Sequence, residues 1–161
     1  RKLRLCDRDG TKNRADLHLP SLEEYVDICK RYEKACVLEL KSDFTEEEVR
    51  GIIGRVKALG WLDHVIFIAF DYENLLRVRK ILPEQPCQFL TETIPEGLAE
   101  KLAASRMGLD VYYPALTREL VQRFHEKGVQ VNCWTVNEKA DAERLMDWGV
   151  DFITTNILEK E

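Results

Sequence analysis

Two residues near the end of the run CVLELK, Cys36 to Lys41, carry full charges inside what otherwise reads as a buried strand. Side chains alternate along a strand, so Val37, Glu39 and Lys41 share one face and Cys36, Leu38 and Leu40 share the other. The leucine face belongs against a core. The opposite face presents a carboxylate and an ammonium at alternate positions, and a charge inside a packed strand requires a partner or an ion. Two chemistries fit. One is a Glu39–Lys41 ion pair of purely structural value. The other, sharper expectation is a carboxylate for a divalent cation beside an ammonium for a phosphate oxygen.

Positioning such a pair falls to the elements around it. Residues 1–20 are polar and irregular, with a turn expected at Arg8-Asp9-Gly10. Ser21 with Glu24, and Thr45 with Glu48, are capping boxes that open helices. Asp71, Thr117 and Asn137 are expected to cap three more, with Gly60, Gly128 and Gly149 as stops. Between them lie the runs CVLELK, HVIFIAF, CQFLTE, LDVYYP, VQVNCWTV and VDFITTN, six predicted strands, each but the last followed by a helix. Alternation of this kind specifies a parallel α/β sheet with both faces covered. Two architectures fit: a six-stranded doubly wound sheet, complete as it stands, or part of a (β/α)8 barrel whose first strands are missing. The pattern alone slightly favours the first. No G-x-G-x-x-G and no P-loop follows any strand, so a nucleotide fold lacks its usual signature.

The length of 161 residues matches one domain spanning 1–161, with 1–20 as an irregular leading segment. A net charge of −5 and the lack of an extended basic run argue against nucleic acid or a polybasic membrane patch. No apolar run approaches the ~18 residues of a membrane span, and the first residues hold no signal-peptide-like apolar region. The five cysteines, Cys6, Cys29, Cys36, Cys87 and Cys133, are odd in number and none sits at C-x-x-C spacing. Free thiols in a reducing cytosol are expected, hence a cytoplasmic protein without a zinc site.

In either architecture a ligand site lies at the carboxyl ends of the strands. The polar residues there are Glu39 and Lys41, Asp71, Thr91 and Glu92, Tyr112 and Tyr113, Asn132, Trp134 and Asn137, and Thr154, Thr155 and Asn156. Caps, turns and packing account for most of them. Trp134 shares a face with Asn132 and offers either an apolar wall to a ligand or simple core packing. His64 begins a strand, His125 falls late in a helix and His18 lies in the leading segment, so no imidazole is expected at a strand's carboxyl end.

The segments LPSLEEYV, LELK, the F-D after the second strand, CWTVN and GVDFITTN occur in order from about Leu19 to Asn156. Together they resemble the second half of the glycerophosphodiester phosphodiesterase family. The resemblance implies a TIM-type barrel and hydrolysis of a glycerophosphodiester, a small-molecule substrate, to glycerol 3-phosphate and an alcohol. It further implies a divalent cation, Ca²⁺ or Mg²⁺, two histidines as acid and base, and a place in glycerol and lipid metabolism. Position by position, Glu39 matches the metal-ligating Glu of E-x-K and Lys41 the Lys that contacts the substrate phosphate. Trp134 matches the aromatic of W-T-V-N at the pocket border. The family's H-R-G, E-x-D and H-D motifs, which supply both histidines and the other metal carboxylates, do not occur here. The expectation is therefore a partial TIM-type barrel, the C-terminal part of such an enzyme, with no catalytic residue of its own. A barrel left open in this way exposes two sheet edges and is expected to fold poorly alone. The rival readings are a non-catalytic α/β module that binds a phosphorylated metabolite and a doubly wound regulatory domain.

Overall fold

The computed structural model describes residues 5–7, 9–12, 14 and 17–158. Its helices begin where local chemistry places them. Helix α1 (Leu22–Arg31) opens with Ser21 Oγ accepting from the Glu24 amide at 3.2 Å, while Glu24 Oε2 accepts from the Ser21 amide at 2.6 Å. Thr45 and Glu48 repeat this reciprocal pair at α2 (Glu46–Ala58). Asp71 caps α3 (Tyr72–Ile81) through the Glu73 amide, and Thr117 caps α5 (Arg118–Glu126) through the Leu120 amide. Helix α4 (Leu98–Ala104) follows Gly97, whose φ of +79° no helical residue shares, so the helix begins directly after it. Helix α6 (Lys139–Asp147) corrects the expected cap. Glu138 precedes it without a side-chain bond, and Asn137 Oδ1 instead accepts from the Asn156 amide at 3.0 Å. The asparagine thus ties the chain leaving the fifth strand to the chain leaving the sixth. In the leading segment, Asp7 and Gly10 close the expected turn within a short antiparallel bridge between Cys6 and Lys12; Arg8 lies outside the described residues.

The strands are β1 (Cys36–Glu39), β2 (Val65–Ala69), β3 (Cys87–Thr91), β4 (Gly108–Tyr112), β5 (Val131–Trp134) and β6 (Phe152–Ile153). All neighbours are parallel, in the order β1-β2-β3-β4-β5-β6. A doubly wound sheet reverses its strand order at a switch point, and this one never reverses. The doubly wound expectation is therefore overturned. Consecutive order is the winding of a TIM-type barrel, here a partial one with β1 and β6 at its edges. The negative charge of Glu39 on β1 is felt by Asp110 of β4.

Register separates two faces. Cys36, Val65, Phe67, Cys87, Leu109, Val111, Val131 and Cys133 form the outer face, buried against helix residues such as Val49, Val56, Leu75, Leu102, Phe124 and Leu145. This is the hydrophobic core. The concave face is different: it carries Gln88, Asp110 and Asn132 among its apolar residues and leaves Val37, Phe70, Tyr112 and Phe152 exposed. Cys29, Cys36, Cys87 and Cys133 are buried free thiols and Cys6 is an exposed one. Burial pushes the Cys36, Cys87 and Cys133 thiols up to about 12, which makes them poor nucleophiles. Among the described residues no helix is long and apolar enough to cross a membrane.

Candidate active site

At the carboxyl end of β1, Lys41 Nζ lies 3.4 Å from Glu39 Oε2, with the Lys41 side chain 79% exposed and that of Glu39 28% exposed. A pair this open contributes at most about 1 kcal/mol to stability. The ammonium is held near the carboxylate yet remains open to solvent. The fold does not need this pair, which weakens the purely structural reading of the E-x-K sequence.

Glu39 looks into the concave face, and the floor there is polar. Asn132 Nδ2 donates to Gln88 Oε1 at 3.1 Å, although β3 and β5 are separated by β4. Gly108 of β4 makes that reach feasible. A Cβ at this position would stand 2.9 Å from Gln88 Cγ, so only a residue without a side chain lets Gln88 lie across its strand. Asp110, the next inward residue of β4, is register partner to Asn132 and almost fully buried. Its Oδ1 and the Oδ1 of Asn132 have no hydrogen-bond partner. Burial, reinforced by the negative charge of Glu39, raises the Asp110 carboxyl to about 7.

Above this floor stands an aromatic wall. Trp134 meets Phe70 edge-on at 5.9 Å between centroids and Tyr112 at 5.4 Å, and its Nε1 donates to the Asp110 carbonyl at 3.3 Å. The Trp134–Thr135 peptide is cis. Phe70 and Tyr112 are both about half exposed, so the wall is open to solvent.

The remaining strand-end residues serve the scaffold. Asp71 caps α3 and faces Arg77 at 3.9 Å. Thr91 closes a turn onto Thr93, and Tyr113 donates to Asp141 at 3.2 Å. Thr155 turns the chain after β6. The histidines lie elsewhere: His64 stacks on Trp61 before β2, His125 pairs with Asp151 Oδ2 at 2.9 Å, and His18 lies 3.3 Å from Glu24. Among the described residues no group of three or more His, Cys, Asp and Glu side chains is placed to hold a metal ion. A cavity of about 500 Å³ lined by Gln88, Arg106, Gly108 and Gln130 opens at the amino ends of the strands, behind the floor and away from Glu39.

Strand-end reasoning missed Gln88 and Asp110, because it stopped at the last residues of each strand. Alternation carried two residues inward from Tyr112 reaches Asp110, and two inward from Leu90 reaches Gln88. A carboxylate in the middle of LDVYY was the available signal.

Comparison with known proteins agrees with this geometry. The sequence profile of the Glycerophosphoryl diester phosphodiesterase family matches residues 7–160. A glycerophosphodiester phosphodiesterase of Bacillus subtilis (strain 168) is 30% identical over 152 residues, covering 87% of this chain and 52% of the relative. The crystal structure of a glycerophosphodiester phosphodiesterase from Parabacteroides distasonis superposes with a TM-score of 0.73 at 27% identity, over 94% of this chain and 63% of that one. An Oleispira antarctica phosphodiesterase, solved in complex with the product sn-glycerol-3-phosphate, shares the fold with a TM-score of 0.71 at 24% identity, over 84% of this chain and 57% of that one. The chain thus spans little more than half the length of the Bacillus relative. A profile match over nearly all its residues, on a singly wound parallel sheet with an open E-x-K pair at a strand's carboxyl end, places this chain in the glycerophosphoryl diester phosphodiesterase family.

Proposed function

We propose that the concave face of this sheet binds the phosphate and glycerol of a glycerophosphodiester, and that the complete protein hydrolyses that substrate to glycerol 3-phosphate and an alcohol. The observation that carries this reading is the open Glu39–Lys41 pair at the carboxyl end of β1. Lys41 offers a mobile positive charge to a non-bridging phosphate oxygen, and Trp134 with Phe70 and Tyr112 offers an apolar surface to the glycerol carbons. The Oleispira relative, which shares this fold, was solved with sn-glycerol-3-phosphate, the product that this reaction would release.

Glu39 is the residue we assign to a divalent cation. Such an ion takes about six or more oxygen ligands, and the described residues do not by themselves fit that demand. Glu39 would then be one ligand of a site whose other ligands lie outside them. Cleavage also needs a proton delivered to the leaving alkoxide, a contribution of about 10²–10⁴ in rate. His18, His64 and His125 are engaged by Glu24, Trp61 and Asp151, so that group too would come from elsewhere.

The test has two arms. Calorimetric titration of the complete protein with glycerol 3-phosphate should show binding, weakened about tenfold or more in Lys41→Met, with the circular dichroism of the variant unchanged. Release of glycerol 3-phosphate from glycerophosphocholine should require a longer chain that carries H-R-G, E-x-D and H-D, and should stop on adding a chelator. Binding without turnover in that longer chain would favour the non-catalytic module. Equal loss of binding and of folded protein in Lys41→Met would return the pair to a structural role.

A further inference from the structure

The polar floor beneath Glu39 contains an arrangement that its hydrogen bonds leave incomplete. Asp110 and Asn132 are register partners on adjacent parallel strands, so their side chains emerge side by side on the concave face. They are 2% and 5% exposed, and each carries an Oδ1 with no partner. Buried acceptors without donors are rare and demand an explanation. Asn132 has already committed its Nδ2 to Gln88 Oε1 at 3.1 Å, which leaves its Oδ1 for Asp110. Two neighbouring acceptors and no donor is a deficit that one hydrogen atom removes.

We propose that Asp110 and Asn132 share a proton: Asp110 is held as the neutral carboxylic acid and donates its O–H to Asn132 Oδ1, closing a Gln88–Asn132–Asp110 chain across the concave face. The chain runs from β3 to β5 and back to β4, passing over the bare Cα of Gly108. Its surroundings favour the neutral form. By register, β3 presents Gln88 and Leu90 to Asp110 and β5 presents Asn132 and Trp134, and none of these titrates. From β1 the charge acting on it is the anionic Glu39, which disfavours a second anion; across β5, on the outer face, lies the Cys133 thiol, itself raised by burial and by Asp110. Burial and Glu39 together hold the carboxyl near 7. Below that pH the floor is uncharged and the chain is complete. Above it, a second negative charge appears under Glu39 and the link to Asn132 turns into repulsion between two acceptors.

The consequence for ligands rests on the proposed function. A phosphate drawn to Lys41 meets one carboxylate when Asp110 is neutral and two when it is ionised. The affinity of the complete protein for glycerol 3-phosphate should therefore fall as pH rises through neutrality, by about tenfold more in the unaltered protein than in Asp110→Asn. In that variant the amide N–H replaces the acid O–H and carries no charge to lose.

The decisive measurement needs no ligand. With aspartate Cγ labelled in ¹³C and Asp110 assigned through its backbone, its carboxyl should titrate near neutrality while exposed aspartates titrate in acid. The infrared difference between the unaltered protein and Asp110→Asn should contain a protonated-carboxyl band that disappears over the same range. A carboxyl already ionised in mild acid would overturn the proposal. It would mean that both amides are turned over, with Gln88 Nε2 donating to Asn132 and Asn132 Nδ2 to a carboxylate. Asp110→Asn should then be the less stable protein at every pH, whereas the shared proton makes it the more stable one in alkali. Failure of glycerol 3-phosphate to bind would remove the proposed function and leave these readouts unchanged. An ionised Asp110 in a protein that binds it would do the reverse.

Discussion

Glu39 and Lys41 illustrate how exposure separates a structural charge pair from one available to a ligand. A buried pair is held in place by the cost of separating its members; at 79% exposure Lys41 has no such constraint. Trp134 occupies the matching position on the other side of the concave face, and its indole emission should report on occupancy. Glycerol 3-phosphate added to the complete protein is expected to change Trp134 fluorescence, and Trp134→Phe, which removes the reporter and keeps the wall, should abolish that change with little loss of affinity. An unaltered emission in a protein shown to bind the ligand would return Trp134 to simple packing. The placement of Glu39, Lys41 and Trp134 at the carboxyl ends of strands was legible in the sequence because alternation and strand ends are local properties of the chain. Asp110 was not, because its significance depends on Asn132 beside it and on the charge of Glu39 three strands away. Nothing in LDVYY records those neighbours.

At the scale of elements, the caps were read from the sequence more accurately than the element lengths. Thr45 and Glu48 satisfy each other's backbone donors, so Thr45→Ala should lower stability by about 1 kcal/mol in denaturant titration, without touching the concave face. Asn137 failed as a cap because a tertiary donor, the Asn156 amide, competes for the same oxygen. Local sequence does not reveal such competition. Gly108 carries the sharper prediction. In Gly108→Ala the new methyl meets Gln88 Cγ and displaces it from Asn132, so the variant combines overpacking with a broken buried hydrogen bond. A loss of about 1–3 kcal/mol is expected. Gln88→Ala in the same background should recover part of it, because the clash goes with the side chain. Additive losses in the double variant would show that the two residues do not oppose each other.

For the whole molecule, pH dependence follows from the raised carboxyl of Asp110. Unfolded, the group titrates near 3.8; folded, near 7. Between those values the folded state holds a proton that the unfolded state releases, so stability is greatest at the acid end of that window and declines as pH rises through about 7. The decline should amount to a few kcal/mol (at about 1.4 kcal/mol per pH unit of displacement), and Asp110→Asn should flatten it in urea titrations. The expectation of a partial barrel was legible in the order of motifs and the count of strands, whereas pattern alone pointed to a doubly wound sheet. Both architectures alternate strand and helix, and they differ only in which strands are neighbours, a property that periodicity does not carry.

The strand order has a further consequence for how this chain acquires its shape. Every strand pairs with the next one in sequence, so each closure spans one helix and its two connections, and no pairing waits for a distant segment. The entropy of closing a loop grows only logarithmically with its length, and here each closure is similar and modest. The sheet can therefore grow vectorially, one βα unit upon the last, as the chain leaves the ribosome. At every stage of that growth the newest strand presents a free edge, onto which the next strand in sequence adds.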